Sequence, residues 1–180
     1  MRSLSGTGRG FGSPARTQIL TLAATRAGQS SRAMNTLDKL LSKYSWPTKN
    51  FLDDTDFVDT EQTIGFELPE DYKDFLSKYV GHETQIGQES FKLWNKKDLI
   101  SLNEGYSILE NLSRTVAIGD NGGGEFIGLE KSIDGGLRVI LTPFIDLDEQ
   151  YHIEIGSSFT DFLLRMDMGE KWFKDVKKDS

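Results

Sequence analysis

The chain has 180 residues and no cysteine, so disulfide bonds, thiolate metal sites and cysteine nucleophiles are excluded. Its hydrophobic content of 37% can build a core, and no apolar run approaches the roughly 18–20 residues that cross a bilayer. The formal charge of −7 conceals an asymmetry. Residues 1–33 hold five arginines and no acid, which leaves 16 basic and 28 acidic residues, a charge of −12, in 34–180. Such an acidic body disfavours direct binding of nucleic acid and favours a basic protein partner, although acidity alone also keeps a small domain soluble. Because no apolar run is long enough to cross a bilayer, no membrane partner is expected.

Residues 1–33 are poor in large apolar side chains and are predicted to lie outside the fold, which is expected to be a single domain over 34–180. Two interpretations of this segment stay open. It is a disordered basic leader or a non-native extension, with Met34 as the natural start, or it is an organellar transit peptide, whose Arg-rich, Ser-rich, acid-free composition it shares. The expected location is the cytoplasm in the first case and an organelle in the second.

Three helices are predicted in the first part of the domain. The first follows Met34 and ends at Trp46-Pro47, because a residue before proline avoids helical backbone angles. The second runs from near Asp53 to Thr63, with its aspartates at the positive end of the helix dipole. The third begins at Pro69 and is closed by Gly81.

A region rich in strands follows, and its clearest unit is the hairpin Thr115–Glu130, in which two arms with alternating apolar residues flank the turn Asp120–Gly124. The remaining predicted elements are the strands Phe91–Trp94, Leu137–Leu141 and Tyr151–Ile155 (the last a strand or an irregular lead-in), a short helix Lys96–Asn103, and a final helix that Ser157-Ser158 caps and Gly169 ends. This order predicts an α+β domain in which a mostly antiparallel sheet is flanked by helices.

The glycine-rich turn does not have the context of a reactive loop. A phosphate loop leads from a strand into a helix and usually ends in Gly-Lys-Ser/Thr, whereas this turn leads into a second strand and has no lysine before Lys131. The histidines His82 and His152 stand in no recognised ligand spacing. We therefore predict no catalytic residue, no cofactor and no metal site, and we keep a hydrolase that uses Asp120, Glu125 and His152 as an alternative.

Four ordered stretches carry a family resemblance: Glu61 with Gly65–Leu76, Phe91–Leu93 with the helix after it, Val116–Glu125, and Ile155–Leu163. Together they resemble the SUKH superfamily, in particular the branch related to the fungal cell-wall assembly regulator, over about residues 50–168. The resemblance implies a strongly bent sheet flanked by helices and a binding role. Such domains are typically immunity proteins in bacteria, where they neutralise a polymorphic toxin that is often a nuclease, and regulatory or scaffold domains in fungi and other eukaryotes.

This sequence departs from the family pattern at one turn, where Asp120-Asn121-Gly122 replaces an aspartate–glycine pair. Asparagine tolerates left-handed backbone angles, so the turn is expected to survive. The partner-binding residues that we predict are the acids of the second helix and of the hairpin tip: Asp53, Asp54, Asp56, Asp59, Asp120 and Glu125. The function that we expect is toxin neutralisation, with a regulatory or scaffold role as the alternative.

Overall fold

The computed structural model describes residues 36–51 and 56–173, and the predictions made for residues 1–33 lie outside this part of the chain. Within it, six α-helices and six strands follow one another in the order α1 (36–43), α2 (Val58–Ile64), α3 (Glu70–Lys78), β1 (Glu83–Ile86), β2 (Glu89–Leu93), α4 (Lys96–Gly105), α5 (Ile108–Asn111), β3 (Thr115–Asp120), β4 (Glu125–Lys131), β5 (Leu137–Pro143), a 3-10 turn (Glu149–Tyr151), β6 (Ile153–Gly156) and α6 (Phe159–Asp167).

The strands form one antiparallel sheet whose spatial order, β1 to β6, is also their order along the chain. The longest ladder joins β4 to β5, from Glu125 opposite Pro143 to Lys131 opposite Leu137. The ladder between β2 and β3 is short, since it joins only Lys92 to Asp120 and Leu93 to Gly119. The predicted α+β fold, with a mostly antiparallel bent sheet flanked by helices, is confirmed.

Helices cover both faces of the sheet. Residues that lie opposite each other in the ladders share a face, which places Phe91, Ile127 and Leu141 on one side and Phe126 on the other. The first face packs against α6, where the rings of Phe91 and Phe162 lie 5.3 Å apart. Helices α4 and α5 contact β3, and Tyr106 at the end of α4 packs on Phe144, which contacts Phe126 of the second face. The core therefore has a layer of side chains on each side of the sheet.

The curl of the sheet brings its first strands to the helix that follows its last strand. α6 contacts β1 as well as β5 and β6. A Cβ atom on Gly87, in the turn between β1 and β2, would lie 2.1 Å from the backbone oxygen of Met166 in α6. Only glycine allows this approach. The sheet is thus a half-barrel that α6 fills from one side.

Several element boundaries differ from those predicted. The second helix begins at Val58 rather than near Asp53, and Asp53 and Asp54 lie outside the described residues. The third helix ends at Lys78, so Gly81 does not close it. Gly81 is required for another reason, because a Cβ atom there would lie 2.6 Å from the backbone nitrogen of Asn95.

Two elements were not predicted, β1 and α5, because each has only four residues and neither shows a clear apolar period. The segment Tyr151–Ile155, for which a strand and an irregular lead-in were both open, contains the end of the 3-10 turn and the start of β6. The hairpin Thr115–Glu130 is present as β3 and β4.

Candidate functional site

The hairpin tip between β3 and β4 is organised by one amide side chain. The oxygen Oδ1 of Asn121 accepts hydrogen bonds from the backbone nitrogens of Gly123 (2.9 Å) and Glu125 (3.2 Å), and its Nδ2 donates to Glu125 Oε2 (2.8 Å). Positive φ angles fall on Gly122 (+67°) and Gly124 (+112°), not on Asn121. The turn survives, but Asn121 contributes its side chain rather than the left-handed backbone that we expected of it.

Asp120 has an internal role at the base of the tip. Its Oδ2 accepts a hydrogen bond from the indole nitrogen of Trp94 (2.7 Å), and its Oδ1 accepts from the backbone nitrogen of Gly122 (3.2 Å). The exposed Lys92 lies directly opposite it in the ladder. A partner would therefore meet a carboxylate that is half-buried and already bonded on both oxygens, with a cation beside it.

Of the four acids predicted to bind a partner near the second helix, Asp56 and Asp59 lie within the described part of the chain and Asp53 and Asp54 do not. Asp56 Oδ1 accepts from the backbone nitrogen of Val58 (2.9 Å) at the start of α2, and Asp59 is exposed in the first turn of that helix. The backbone oxygen of Asp56 accepts from Lys96 Nζ (2.9 Å). Asp56 and Asp120 are thus both bonded to the junction between β2 and α4, the first to Lys96 and the second to Trp94.

An apolar patch lies against the hairpin tip, and sequence reasoning missed it. It consists of Tyr106, Phe144 and Ile145, and we call it the tip patch. The rings of Tyr106 and Phe144 lie 4.4 Å apart, and Phe144 also packs on the buried Phe126 at 5.2 Å. The backbone nitrogen of Phe144 donates to Gly124 (3.0 Å), which fixes the patch to the tip. Tyr106 is 49% exposed and Ile145 is 90% exposed.

A second polar cluster lies at the other end of β4, around the buried Glu130. Arg138 Nε donates to Glu130 Oε2 (2.6 Å), and this hydrogen bond, opposed by burial, raises the pKa of the Arg138 guanidinium. His152 Nδ1 lies 3.3 Å from Glu130 Oε1, and the His152 side chain is fully buried. A surface depression of about 500 Å³ borders this cluster, and the ion pair between Arg114 and Glu149 lines it. Opposite charges are paired here, so the arrangement is that of a structural network.

The three residues of the hydrolase alternative are not brought together. Glu125 and Glu130 are five residues apart on β4, which corresponds to about 16 Å along an extended strand. His152 contacts Glu130, at the far end from Asp120 and Glu125. Within residues 36–51 and 56–173, no group of three or more His, Asp or Glu side chains is placed to hold a metal ion. None of the helices in this part of the chain is long and apolar enough to cross a membrane.

A curled six-stranded antiparallel sheet flanked by helices places the protein in the α+β class. Residues 52–165 match the SMI1 / KNR4 family (SUKH-1), and since this is more than half of the chain, the protein belongs to that family. The match confirms the resemblance to the SUKH superfamily, whose domains are generally non-catalytic and bind protein partners. A search of curated proteins found no match.

Proposed function

We propose that this protein is a non-catalytic immunity protein that binds and neutralises a basic toxin domain, often a nuclease, in the cytoplasm. The observation that carries the proposal is the formal charge of −12 on residues 34–180 of a SUKH-family chain. Nuclease domains are commonly basic because they bind phosphate, and an acidic protein attracts them at long range. The same acidity argues against nucleic acid as a direct ligand of this domain.

The proposed mode of action is occlusion. Complementary charge speeds the encounter, and an apolar contact then holds the complex together once water has been excluded. The acids offered for this purpose are Asp56 and Asp59 beside α2 and Glu125 at the hairpin tip. No step of this mechanism requires a cofactor, a metal or a chemical reaction.

The proposal is tested with the toxin encoded by the gene next to that of this protein. Cells that express the toxin alone are expected to die, and cells that also express the full chain are expected to survive. The two proteins should co-purify, and added salt should slow their association. A toxin from an unrelated locus is the control for specificity. If no basic toxin encoded beside this protein binds it, toxin neutralisation is ruled out as its function.

A regulatory or scaffold role of the cell-wall assembly regulator type is the second candidate. The observation in its favour is the matching branch itself, SMI1 / KNR4, together with five arginines in residues 1–33, outside the match. Mass spectrometry of the mature amino terminus in the native cell distinguishes the candidates further. A retained basic segment without a neighbouring toxin gene would support regulation, whereas a toxin gene directly upstream would support immunity.

A further inference from the structure

Three long stretches of this chain contain no lysine or arginine: 98–113, 115–130 and 139–164. Together they hold eleven acidic residues. The chain has 21 basic residues, so a stretch without lysine or arginine makes the surface acidic only where the fold brings several such stretches together. If the stretches lay apart, basic residues of neighbouring segments would neutralise their charge.

The structure brings these three stretches together at the tip patch. Tyr106 comes from the first, Gly124 from the second and Phe144 from the third, and the ring contact and backbone hydrogen bond described above join them. The exposed residues next to the patch along the chain are acidic, with Glu104 near Tyr106 and Asp146 beside Ile145. Lys92 lies on the β2 side of the hairpin and Lys96 and Lys97 stand in the first turn of α4, whereas the segment that follows β5 beside the tip, 144–146, has no basic residue.

The tip patch also has the physical character of a binding anchor. The Tyr106 and Phe144 rings pack against each other at an interplanar angle of 36°, so little conformational freedom would be lost when a partner covers them. The chain next to Tyr106 is strained, because Ser107 has a φ of +56°, which non-glycine residues rarely adopt. The three exposed glycines of the tip leave bare backbone beside the patch, where a partner can approach closely.

We propose that the tip patch is the docking surface for a basic protein that presents an apolar side chain among lysines and arginines. This proposal rests on the proposed function and names the interface within it. The apolar side chain packs on Tyr106 and Ile145, and the surrounding cations face Glu104, Glu125 and Asp146. Charge complementarity selects this occupant, because nucleic acid would be repelled and a second copy of this chain would place acid against acid.

The first test maps binding on the full chain by amide NMR. The probe is a short synthetic peptide in which one tryptophan stands between runs of lysine and arginine, and its twin carries glutamate at every basic position. The basic peptide is expected to shift the amides of Tyr106, Gly122–Gly124 and Ile145 in a saturable way, and the acidic twin should shift none of them.

Two variants then distinguish binding at the tip patch from general attraction of the basic peptide to the acidic surface. The double variant Tyr106→Ala, Ile145→Ser is expected to weaken binding of the basic peptide at least about tenfold, the loss expected for an aromatic anchor. Ile133→Ser is the matched control, because Ile133 is 91% exposed at the turn between β4 and β5, away from the tip. Its affinity should equal that of the unchanged protein.

Several results would overturn the proposal. The shifts could centre on α2, the double variant could bind as tightly as Ile133→Ser, or sedimentation could show a dimer that Ile145→Ser dissociates. Replacement of the five arginines in residues 1–33 by glutamine within the full chain could also move the same amides. The last result would make those arginines the occupant, in place of an external protein.

The toxin assay keeps this inference distinct from the proposed function. If the unchanged protein neutralises the toxin and the double variant does so equally well, the tip patch is not the interface and the immunity function stands. If the unchanged protein neutralises no toxin while the peptide still maps to the tip patch, the immunity function fails and the docking surface stands.

Discussion

At the scale of single residues, Asn103 takes the place of a missing strand neighbour. The ladder between β2 and β3 covers only two pairs of residues, so the outer edge of β3 at Ala117 lacks a strand partner there. The Asn103 amide supplies one, because its Oδ1 accepts from the backbone nitrogen of Ala117 and its Nδ2 donates to the backbone oxygen of Ala117, each at 2.8 Å. Its Nδ2 also donates to Leu99 in α4. One fully buried side chain therefore joins a helix to the sheet.

The first prediction concerns this residue. Asn103→Leu keeps a similar volume but leaves both backbone groups of Ala117 without a partner in a dry interior, and we expect it to lower the free energy of unfolding by about 3 kcal/mol. Urea denaturation measures the change. Asn111→Leu is the control, because Asn111 is exposed, and its effect should stay within about 0.5 kcal/mol. Equal stability of the two variants would contradict this account of Asn103.

Tyr72 shows the opposite case, a buried hydroxyl that contributes no bond. Its side chain is fully buried, and its Oη has no hydrogen-bond partner within the described part of the chain. Burial raises the pKa of the phenol far above its usual range. A buried polar group without a partner costs free energy, so its removal should not harm the fold.

The second prediction is therefore that Tyr72→Phe leaves the free energy of unfolding unchanged or raises it by up to about 1 kcal/mol. Tyr79→Phe is the matched comparison, because Tyr79 Oη donates to Asp38 Oδ1 at 2.8 Å, and we expect that variant to lose about 1 kcal/mol. Thermal unfolding of both variants measures these changes in stability. A clear loss of stability in Tyr72→Phe would show that its hydroxyl has a partner after all.

At the scale of elements, the start of α6 shows why this helix begins where it does. Ser158 Oγ accepts from the backbone nitrogen of Asp161 (3.0 Å), and Asp161 Oδ2 accepts from both the backbone nitrogen (2.8 Å) and the hydroxyl (2.9 Å) of Ser157. These bonds form a variant of the capping box, in which the carboxylate of Asp161 accepts from Ser157, the residue before the N-cap Ser158. Asp71 in α3 adds a third carboxylate contact, since its Oδ2 accepts from the backbone nitrogen of Thr160 (2.8 Å). The predicted capping by Ser157-Ser158 is therefore correct for Ser158.

The third prediction follows from the charge of Asp161. Burial opposes ionisation, but the hydrogen bonds from Ser157 and Arg165 outweigh it and lower the pKa of this carboxyl. A carboxyl whose pKa is lower in the folded state stabilises the fold above its unfolded pKa of about 3.9, and this stabilisation is lost as the pH falls through the folded pKa.

Asp161→Asn should accordingly destabilise the protein by about 1 kcal/mol at pH 7. The difference from the unchanged protein should shrink as the pH falls below about 4. Urea denaturation across that range measures it, with the exposed Asp146→Asn as a control for net charge. A difference that is constant with pH would show that the ionised carboxylate is not the stabilising form.

The sequence was sufficient for elements that have a strong local pattern. The apolar face of α6, the proline at the start of α3 and the alternating arms of the hairpin all specify their structure within a few residues. β1 was missed because Glu83–Ile86 has one apolar residue and pairs through its backbone alone. The role of Gly81 was misassigned because the close contact is with Asn95, which no local pattern indicates.

The candidate site could be predicted only in part for the same reason. The sequence placed Asp120 and Glu125 at a hairpin tip, and they lie there. Nothing in the local pattern indicated that Trp94, 26 residues away, would bond to Asp120. Three strands separate Tyr106 from Phe144 along the chain, so the gaps in the distribution of lysine and arginine are the one sequence signal that could have pointed to the tip patch.

At the scale of the whole molecule, the half-barrel is held by the segment after α6 as well as by the helix. The chain turns at Gly169, which has a φ of +82°, and returns toward the first strands. There the backbone nitrogen of Trp172 donates to Glu89 Oε1 (3.1 Å) in β2, and the Trp172 ring lies 6.1 Å from that of Phe91. The indole nitrogen donates to the sulfur of Met166 (2.8 Å) in α6. One side chain thus joins β2 at one side of the sheet to the helix that follows β6 at the other.

The fourth prediction tests this closure. Trp172 is only 5% exposed, and Trp172→Ala should lower the free energy of unfolding by about 3–4 kcal/mol, because the substitution leaves a cavity between Phe91 of β2 and Met166 of α6. Phe173→Ala is the control, since the neighbouring ring is 53% exposed, and its effect should stay below about 1 kcal/mol.

Amide hydrogen exchange shows which strands lose protection in the variant. In Trp172→Ala, the amides of β1 and β2 should exchange faster than those of β4 and β5, whose longer ladder does not depend on Trp172. Equal acceleration in all strands would mean that Trp172 supports the core as a whole and not the closure of the half-barrel.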